Sequence, residues 1–288
     1  MFSSRLMLIV TFFVVVVLFL IIFVLLRKSW PILSTKSLGE LLSWSWLPSQ
    51  GKFGFSPFIL GTLAVTAVAM IIAIPLSILT AIYIAEYAPR KLRAIVKPFI
   101  DLLAGIPSIV FGLFGVLVVV PLVSGYLAPL FGTTSTGYCV LSAGIVLALM
   151  VFPIMISICV ELFEAVPGGV REASLALGAT RWQMVKHVVV RSSFPGIIAA
   201  IILGFGRAFG ETLAVMMVVG NSPVTPSLFG PAYPLTALIA NNYGEMMSVP
   251  MYESALMLAA FILLVVSVIS IIAARLILRR VERRWAVG

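Results

Sequence analysis

Apolar residues gather along this chain into six long blocks, at about residues 6–26, 57–85, 102–123, 138–163, 195–219 and 254–278, with the polar residues between them. A helix needs about 20 apolar residues to cross a hydrocarbon core about 30 Å thick. Leu6 to Leu26 would span about 31 Å as a helix at ~1.5 Å per residue. Each block is therefore predicted to be a membrane-spanning helix, which makes the chain an all-α membrane protein with six spans. The first block exceeds the apolar core of a signal peptide, about 7–15 residues, and lacks a small-residue cleavage site, so a retained span is expected. Gly105, Pro107, Gly112 and Gly115 interrupt the third block, and Pro75 predicts a kink in the second.

Composition agrees with the pattern. Of 288 residues, 62% are hydrophobic and 10% charged, against about 45–50% and about 25% in soluble domains. The net charge of +9 would suit nucleic acid, but the charges sit at the ends of apolar blocks, which argues against a nucleic-acid partner. They are also unevenly placed. Arg5, Arg90, Lys91, Arg93, Lys97, Arg171, Arg181, Lys186, Arg191, Arg275, Arg279, Arg280, Arg283 and Arg284 fall on one side, and Arg27, Lys28, Lys36 and Lys52 on the other. The excess predicts both termini in the cytoplasm. Cys139 and Cys159 fall near opposite ends of one block, about 30 Å apart as a helix, beyond disulfide reach.

The segment after the first span, to residue 56, carries Trp30, Trp44 and Trp46 and is expected to lie along the outer interface. The outer stretch at about 220–253 holds Pro223, Pro226, Pro231 and Pro234, too many prolines for one continuous helix. A receptor-docking surface, a re-entrant segment and a plain surface loop all remain open for it.

The chemistry is sparse. No G-x-x-x-x-G-K-[ST] run is present to cradle nucleotide phosphates. His187 stands alone, without a cluster of metal ligands, and no nucleophile, base and orienting group can be assembled. Neither a catalytic residue, a metal nor a cofactor is expected. Arg207 is the exception, a charge inside the fifth block. Counted twelve residues from Pro195, taken as the helix start, it lies about 18 Å along, near mid-bilayer. An arginine there costs about 2.5–3.5 kcal/mol on insertion scales. Glu211 follows one turn later on the same face, so an i,i+4 pair is sterically available, though Arg before Glu is the weaker order. In one reading the pair locks helix packing, with Gly206 and Gly210 forming a G-x-x-x-G close approach. In the other Arg207 meets a passing oxyanion with its planar fork and Glu211 keeps it oriented.

A second signal lies between Val170 and Lys186. Pro167-Gly168-Gly169 ends the fourth span and a helix-compatible stretch follows. Gly178 at its middle costs about 1 kcal/mol against alanine in a helix, which predicts a turn between two short helices or a close backbone contact. Leu175, Leu177, Trp182 and Met184 supply apolar surface for docking.

The stretch E-A-S-L-A-L-G at Glu172–Gly178 resembles the E-A-A-x-x-x-G loop of permease subunits from binding-protein-dependent ABC importers. Phe58–Thr66, Ala81–Pro89, Leu102–Gly112, Gly206–Val215 and Pro234–Asn241 together are similar to the PstC type of phosphate-specific permease, a resemblance covering about residues 57–280. It implies a type I ABC importer permease (MetI-like) fold. Residues 1–56 would be a first helix and interfacial segment, and 57–288 the permease core, with a coupling loop at 164–194. Glu172, Ala173, Ser174, Gly178, Ala179, Arg181 and Trp182 would dock on an ATPase, and Arg207 and Glu211 would line the path of phosphate. The implied partners are a PstA-type permease, a PstB-type ATPase dimer that hydrolyses the ATP, an external phosphate-binding protein and inner-membrane lipid. In one respect the chain departs from the family. Val190-Arg191-Ser192-Ser193 stands where a leucine–proline step is usual, which predicts an earlier start for the following helix. A permease for sulfate or molybdate, a proton-coupled carrier using Glu211, and a purely structural subunit are the alternatives.

Overall fold

The computed structural model describes residues 2–245 and 249–286, with side chains over 6–245 and 249–278. The side chains of Arg5, Arg279, Arg280, Arg283 and Arg284, counted above for orientation, lie outside the described residues. Helix α1 is Phe2–Thr35, followed by a short α2 at Leu38–Leu41 and an antiparallel hairpin of β1, Trp46–Leu47, and β2, Lys52–Phe53. Next come α3, Ser56–Tyr87, whose last turn is a π turn; α4, Arg90–Ala104; α5, Ser108–Leu130; and α6, Val140–Glu164. The chain ends with α7, Gly168–Ala176; α8, Arg181–Gly210; α9, Leu213–Val218; α10, Leu235–Asn242; and α11, Tyr252–Ala286.

Six of these are long and apolar enough to cross a membrane: residues 6–35 of α1, then α3, α5, α6, α8 and residues 252–278 of α11. The count matches the apolar blocks, but three boundaries move. The first helix runs on through Pro31 to Thr35, because Ile32 is buried under the outer segment. Leu102 to Ala104 close α4 rather than open the third span. Helix α4 carries Arg90, Lys91, Arg93 and Lys97 alongside exposed Leu92, Ile95 and Phe99, so it is amphipathic and the Gly105–Pro107 break separates it from α5. The fifth helix begins at Arg181, and Pro195 and Arg191 both lie within it. Arg191 retains the backbone donor that proline would lack, and the helix starts ahead of both residues, at Arg181.

The centre of the molecule is α3 against α6. Gly144 permits this closeness, since a Cβ there would meet Val68 Cβ at 2.8 Å. Val65, Ala69, Val146, Leu147 and Val151 form the shared core, and Ala214, Val215 and Val218 of α9 close it. A second core packs the end of α3 with α4, α6 and α8 through Ile84, Phe163 and Val189. A third gathers Leu41, Phe53, Phe55, Phe58, Leu235 and Tyr252. The segment before residue 56 anchors Ile32, Leu41, Phe53 and Phe55 in that core and leaves Trp30 and Trp44 exposed. The proline-rich stretch also turns inward: Ala232, Leu235 and Leu238 are fully buried, and the Leu235 amide donates to Thr62 Oγ1 at 2.9 Å. By contrast α1 leaves its apolar residues exposed between Leu6 and Ile21 and meets mainly α11. Cys139 and Cys159 are both buried as free thiols.

Candidate functional site

Arg207 lies near the end of α8 with its side chain exposed, facing a groove of ≈ 820 Å³. Residues Pro195 to Arg207 of α8 form one wall, Ile271 and Arg275 of α11 the other, and Ile154 of α6 contributes to the lining. Among the described residues Arg207 makes no ion pair and no hydrogen bond. Its guanidinium fork has all donors available to whatever enters the groove.

The i,i+4 pair with Glu211 does not form. It required a helix continuing past residue 210, but α8 stops at Gly210 and Glu211 is extended, with ψ 132°. The Glu211 side chain turns toward the start of α9, where a carboxylate oxygen accepts from the Ala214 amide at 3.5 Å. Its backbone carbonyl accepts from Thr236 Oγ1 at 3.1 Å. A carboxylate suits that position, because the first amides of a helix lack intrahelical acceptors and carry partial positive charge. Glu211 therefore fixes the break between α8 and α9. The G-x-x-x-G expectation fails within the chain as well: a Cβ at Gly206 or Gly210 would meet nothing within 4 Å. Both glycines leave backbone open beside Arg207 instead of seating a helix of this chain.

The second candidate region is helical, as predicted. Helix α7 ends at Ala176, Gly178 takes φ +87°, and Thr180 caps the start of α8. Thr180 and Gln183 bond each other's backbone amides in a capping box. Gly178 is needed for its left-handed conformation rather than for closeness, since nothing lies within 4 Å of a Cβ there. Glu172, Ala173, Gly178, Arg181 and Trp182 are exposed, and Ser174 and Ala179 half-buried. Leu177 at the turn is 89% exposed. Met184, expected on this surface, is buried against Val185 and Val189 in the second core.

Sequence reasoning missed the arginines that hold this end together. Arg171 donates to the Val166 carbonyl at 2.5 Å, the Phe163 carbonyl at 2.6 Å and Glu86 Oε1 at 2.9 Å. Arg93 donates from Nε to the Ile84 carbonyl at 3.0 Å, from Nη2 to the Ala85 carbonyl, and from Nη1 to Glu164 Oε1 at 3.2 Å. Arg181 reaches the Glu86 carbonyl and stacks over the Tyr87 ring, 4.9 Å from its centroid. These carbonyls close α3 and α6, where the last four of any helix lack intrahelical donors and carry partial negative charge. Three arginines thus cap two helix ends: Arg171 ties α7 to both, Arg93 ties α4 to both, and Arg181 ties the start of α8 to α3. The available signal was Glu86, an acid inside the apolar stretch 81–89.

The helix begins at Arg181, so Arg207 sits near the end of its span rather than twelve residues in from the start. A six-span helical core with an exposed cation in an apolar span and an exposed loop between late spans is consistent with a membrane permease. The family described as binding-protein-dependent transport system inner membrane component matches residues 73–283, and the chain belongs to it. Among curated relatives, the phosphate transport system permease protein PstC of Xylella fastidiosa (strain 9a5c) is 39% identical over 267 residues, covering 88% of this chain and 82% of the relative. The probable ABC transporter permease protein YqgH of Bacillus subtilis (strain 168) is 40% identical over 235 residues, covering 81% and 74%. In fold, the chain is similar to the MetNI methionine ABC transporter, with TM-score 0.58 and 20% identity over 80% of this chain and 95% of that one. It is also similar to a bacterial ABC transporter for alginate import, with TM-score 0.58 and 16% identity over 96% of each. The chain is therefore an ABC importer permease subunit of the inner membrane, a transport component that works with an ATPase and a binding protein.

Proposed function

We propose that this chain moves inorganic phosphate inward as one half of a permease pair, with Arg207 contacting the anion. The observation that carries this reading is the free guanidinium of Arg207 in an open groove, with no carboxylate among the lining residues. A tetrahedral oxyanion offers paired oxygens that match its fork. The names of the curated relatives supply the choice of phosphate over other oxyanions. Glu211 acts indirectly, by ending α8 at Gly210, three residues after Arg207, and so fixing where the groove wall stops.

In this reading residues 57–288 are the permease core and 1–56 an accessory segment, and both termini face the cytoplasm. A PstA-type permease supplies the facing wall of the groove. The 164–194 loop docks on one subunit of a PstB-type ATPase pair, which performs the hydrolysis, through Glu172, Leu177 and Trp182, all exposed. An external phosphate-binding protein delivers the cargo. The Arg171 and Arg181 braces support this assignment, because they would pass a displacement of α7 directly to α3 and α6.

The test is ATP-dependent uptake of labelled phosphate into vesicles holding the co-expressed subunits. Arg207→Gln is expected to lower uptake by at least about a hundredfold, roughly 2.7 kcal/mol of lost transition-state contact, while the subunits still co-purify. Normal uptake by that variant would remove Arg207 from the path.

A further inference from the structure

The groove holds a second cation. From sequence Arg275 is counted with the charges of one side, although it falls near the end of the sixth apolar block, and the structure keeps it on α11, inside the stretch 252–278 that can span the membrane. It lines the same groove as Arg207, is exposed, and likewise makes no ion pair or hydrogen bond among the described residues. Apart from these two arginines the lining is aliphatic or glycine and proline.

Two guanidinium groups on one groove without an acid are unfavourable twice over. Each costs hydration within an apolar span, less near a helix end than the about 2.5–3.5 kcal/mol of a central position, and at ~18 Å their mutual repulsion adds about 1 kcal/mol at an effective dielectric of ~20. Where this chain uses arginine for architecture it supplies carbonyls, a carboxylate or a ring, as at Arg93, Arg171 and Arg181. An arginine near a helix end can also snorkel to the lipid surface, but an anchor has no need to face the groove that contains Arg207. Spans α8 and α11 are successive and cross in opposite senses. Arg275, close to the end of its span, thus lies toward the Pro195 end of the groove and Arg207 at the other. The α8 wall between them is twelve residues, about 18 Å.

We propose that Arg275 is a second anion-contacting residue, which takes the oxyanion from Arg207 before it leaves the groove. This rests on the phosphate reading above. One strong site would hold its cargo, whereas two weak sites at successive depths let an ion enter and leave.

The test uses the complete importer in vesicles and labelled inorganic phosphate. Arg275→Cys places a thiol in the groove, while the native Cys139 and Cys159 are buried from added reagent. Uptake by this variant should fall at least about tenfold. A thiol reagent carrying a quaternary ammonium should recover most of it, and a sulfonate reagent of similar size should not. Uptake within about twofold of the parent, or equal recovery with both reagents, overturns the proposal. Arg275→Lys covers the case in which the cysteine variant fails to assemble. It should keep ATPase activity and raise the KM for phosphate severalfold, because a point charge replaces a fork, and an unchanged KM counts against the role. Arg207→Gln is measured in parallel. If it transports normally, the phosphate reading itself falls; if it is inactive while Arg275→Cys transports normally, only the second contact falls.

Discussion

The arginines of this chain are treated in two opposite ways, and under the function proposed above the contrast separates architecture from transport. At the α7 end, Arg93, Arg171 and Arg181 use their donors on the carbonyls that close α3 and α6, on Glu86 and Glu164, and on the Tyr87 ring. In the groove, Arg207 and Arg275 have no partner among the described residues. A satisfied cation holds elements together and has little left for a ligand. An unpaired one in an apolar span depends on water or an incoming partner to satisfy its donors. Location alone does not make the distinction, since Glu86 and Arg171 are themselves mostly buried.

The comparison breaks most sharply if the free arginine is given a partner. Leu203 is 56% exposed in the groove and lies one turn before Arg207. Leu203→Glu would place a carboxylate in the favourable i,i+4 order, a pair that stabilises a helix by about 0.2–0.5 kcal/mol. Folding should be unaffected while phosphate uptake falls at least about tenfold. Leu203→Gln, of the same size without the charge, should transport nearly as the parent. If the two variants behave alike in labelled-phosphate uptake, the freedom of Arg207 is not what transport requires.

Removing a partner at the other end tests the converse. Glu86→Gln leaves Arg171 opposite a neutral amide, with Glu86 at 7% and Arg171 at 21% side-chain exposure. Breaking a buried pair from one side costs about 3–5 kcal/mol, and the remaining carbonyl bonds of Arg171 point to the lower figure. The melting temperature of the purified complex should fall by several degrees, and the phosphate KM should stay unchanged. A raised KM at constant stability would place Glu86 in the transport path and erase the distinction.

The membrane architecture was legible because lipid enforces it: six apolar runs became six helices able to span. What blurred the boundaries was local. Leu102 to Ala104 are apolar on a helix that is amphipathic elsewhere, and Pro195 is held inside a helix that breaks instead at Gly210 and Glu211. Arg207 stood out as a charge in an apolar run, but its pairing with Glu211 assumed an unbroken helix. Gly178 was legible as a turn, because glycine weakens a helix interior but takes a left-handed turn without steric penalty. Arg275 fell within the sixth apolar block but was counted with the basic residues that follow it, and no sequence pattern shows that it faces the same groove as Arg207. The brace of Arg171 on Glu86 joins residues 85 positions apart, and no local pattern reports such a contact.

The smallest effect sharpens the comparison from within the paired cluster. Arg93 and Lys97 both reach Glu164, at 3.2 and 3.6 Å, but only Arg93 also caps the end of α3. If charge pairing were the stabilising agent, the two would matter about equally. If satisfying carbonyls is the agent, Lys97 is nearly dispensable, because it is 39% exposed and exposed pairs contribute about 0–1 kcal/mol. Lys97→Ala should therefore shift the melting temperature of the complex by no more than a degree or two, and raised salt should remove even that shift. Arg93→Ala, which leaves the Ile84 and Ala85 carbonyls without their donors, should cost more, about 1–3 kcal/mol for each carbonyl left buried and unsatisfied. Equal losses from the two substitutions would show that the cations act there through charge alone, and the line between capping arginines and transporting ones would have to be drawn by position instead of by partner.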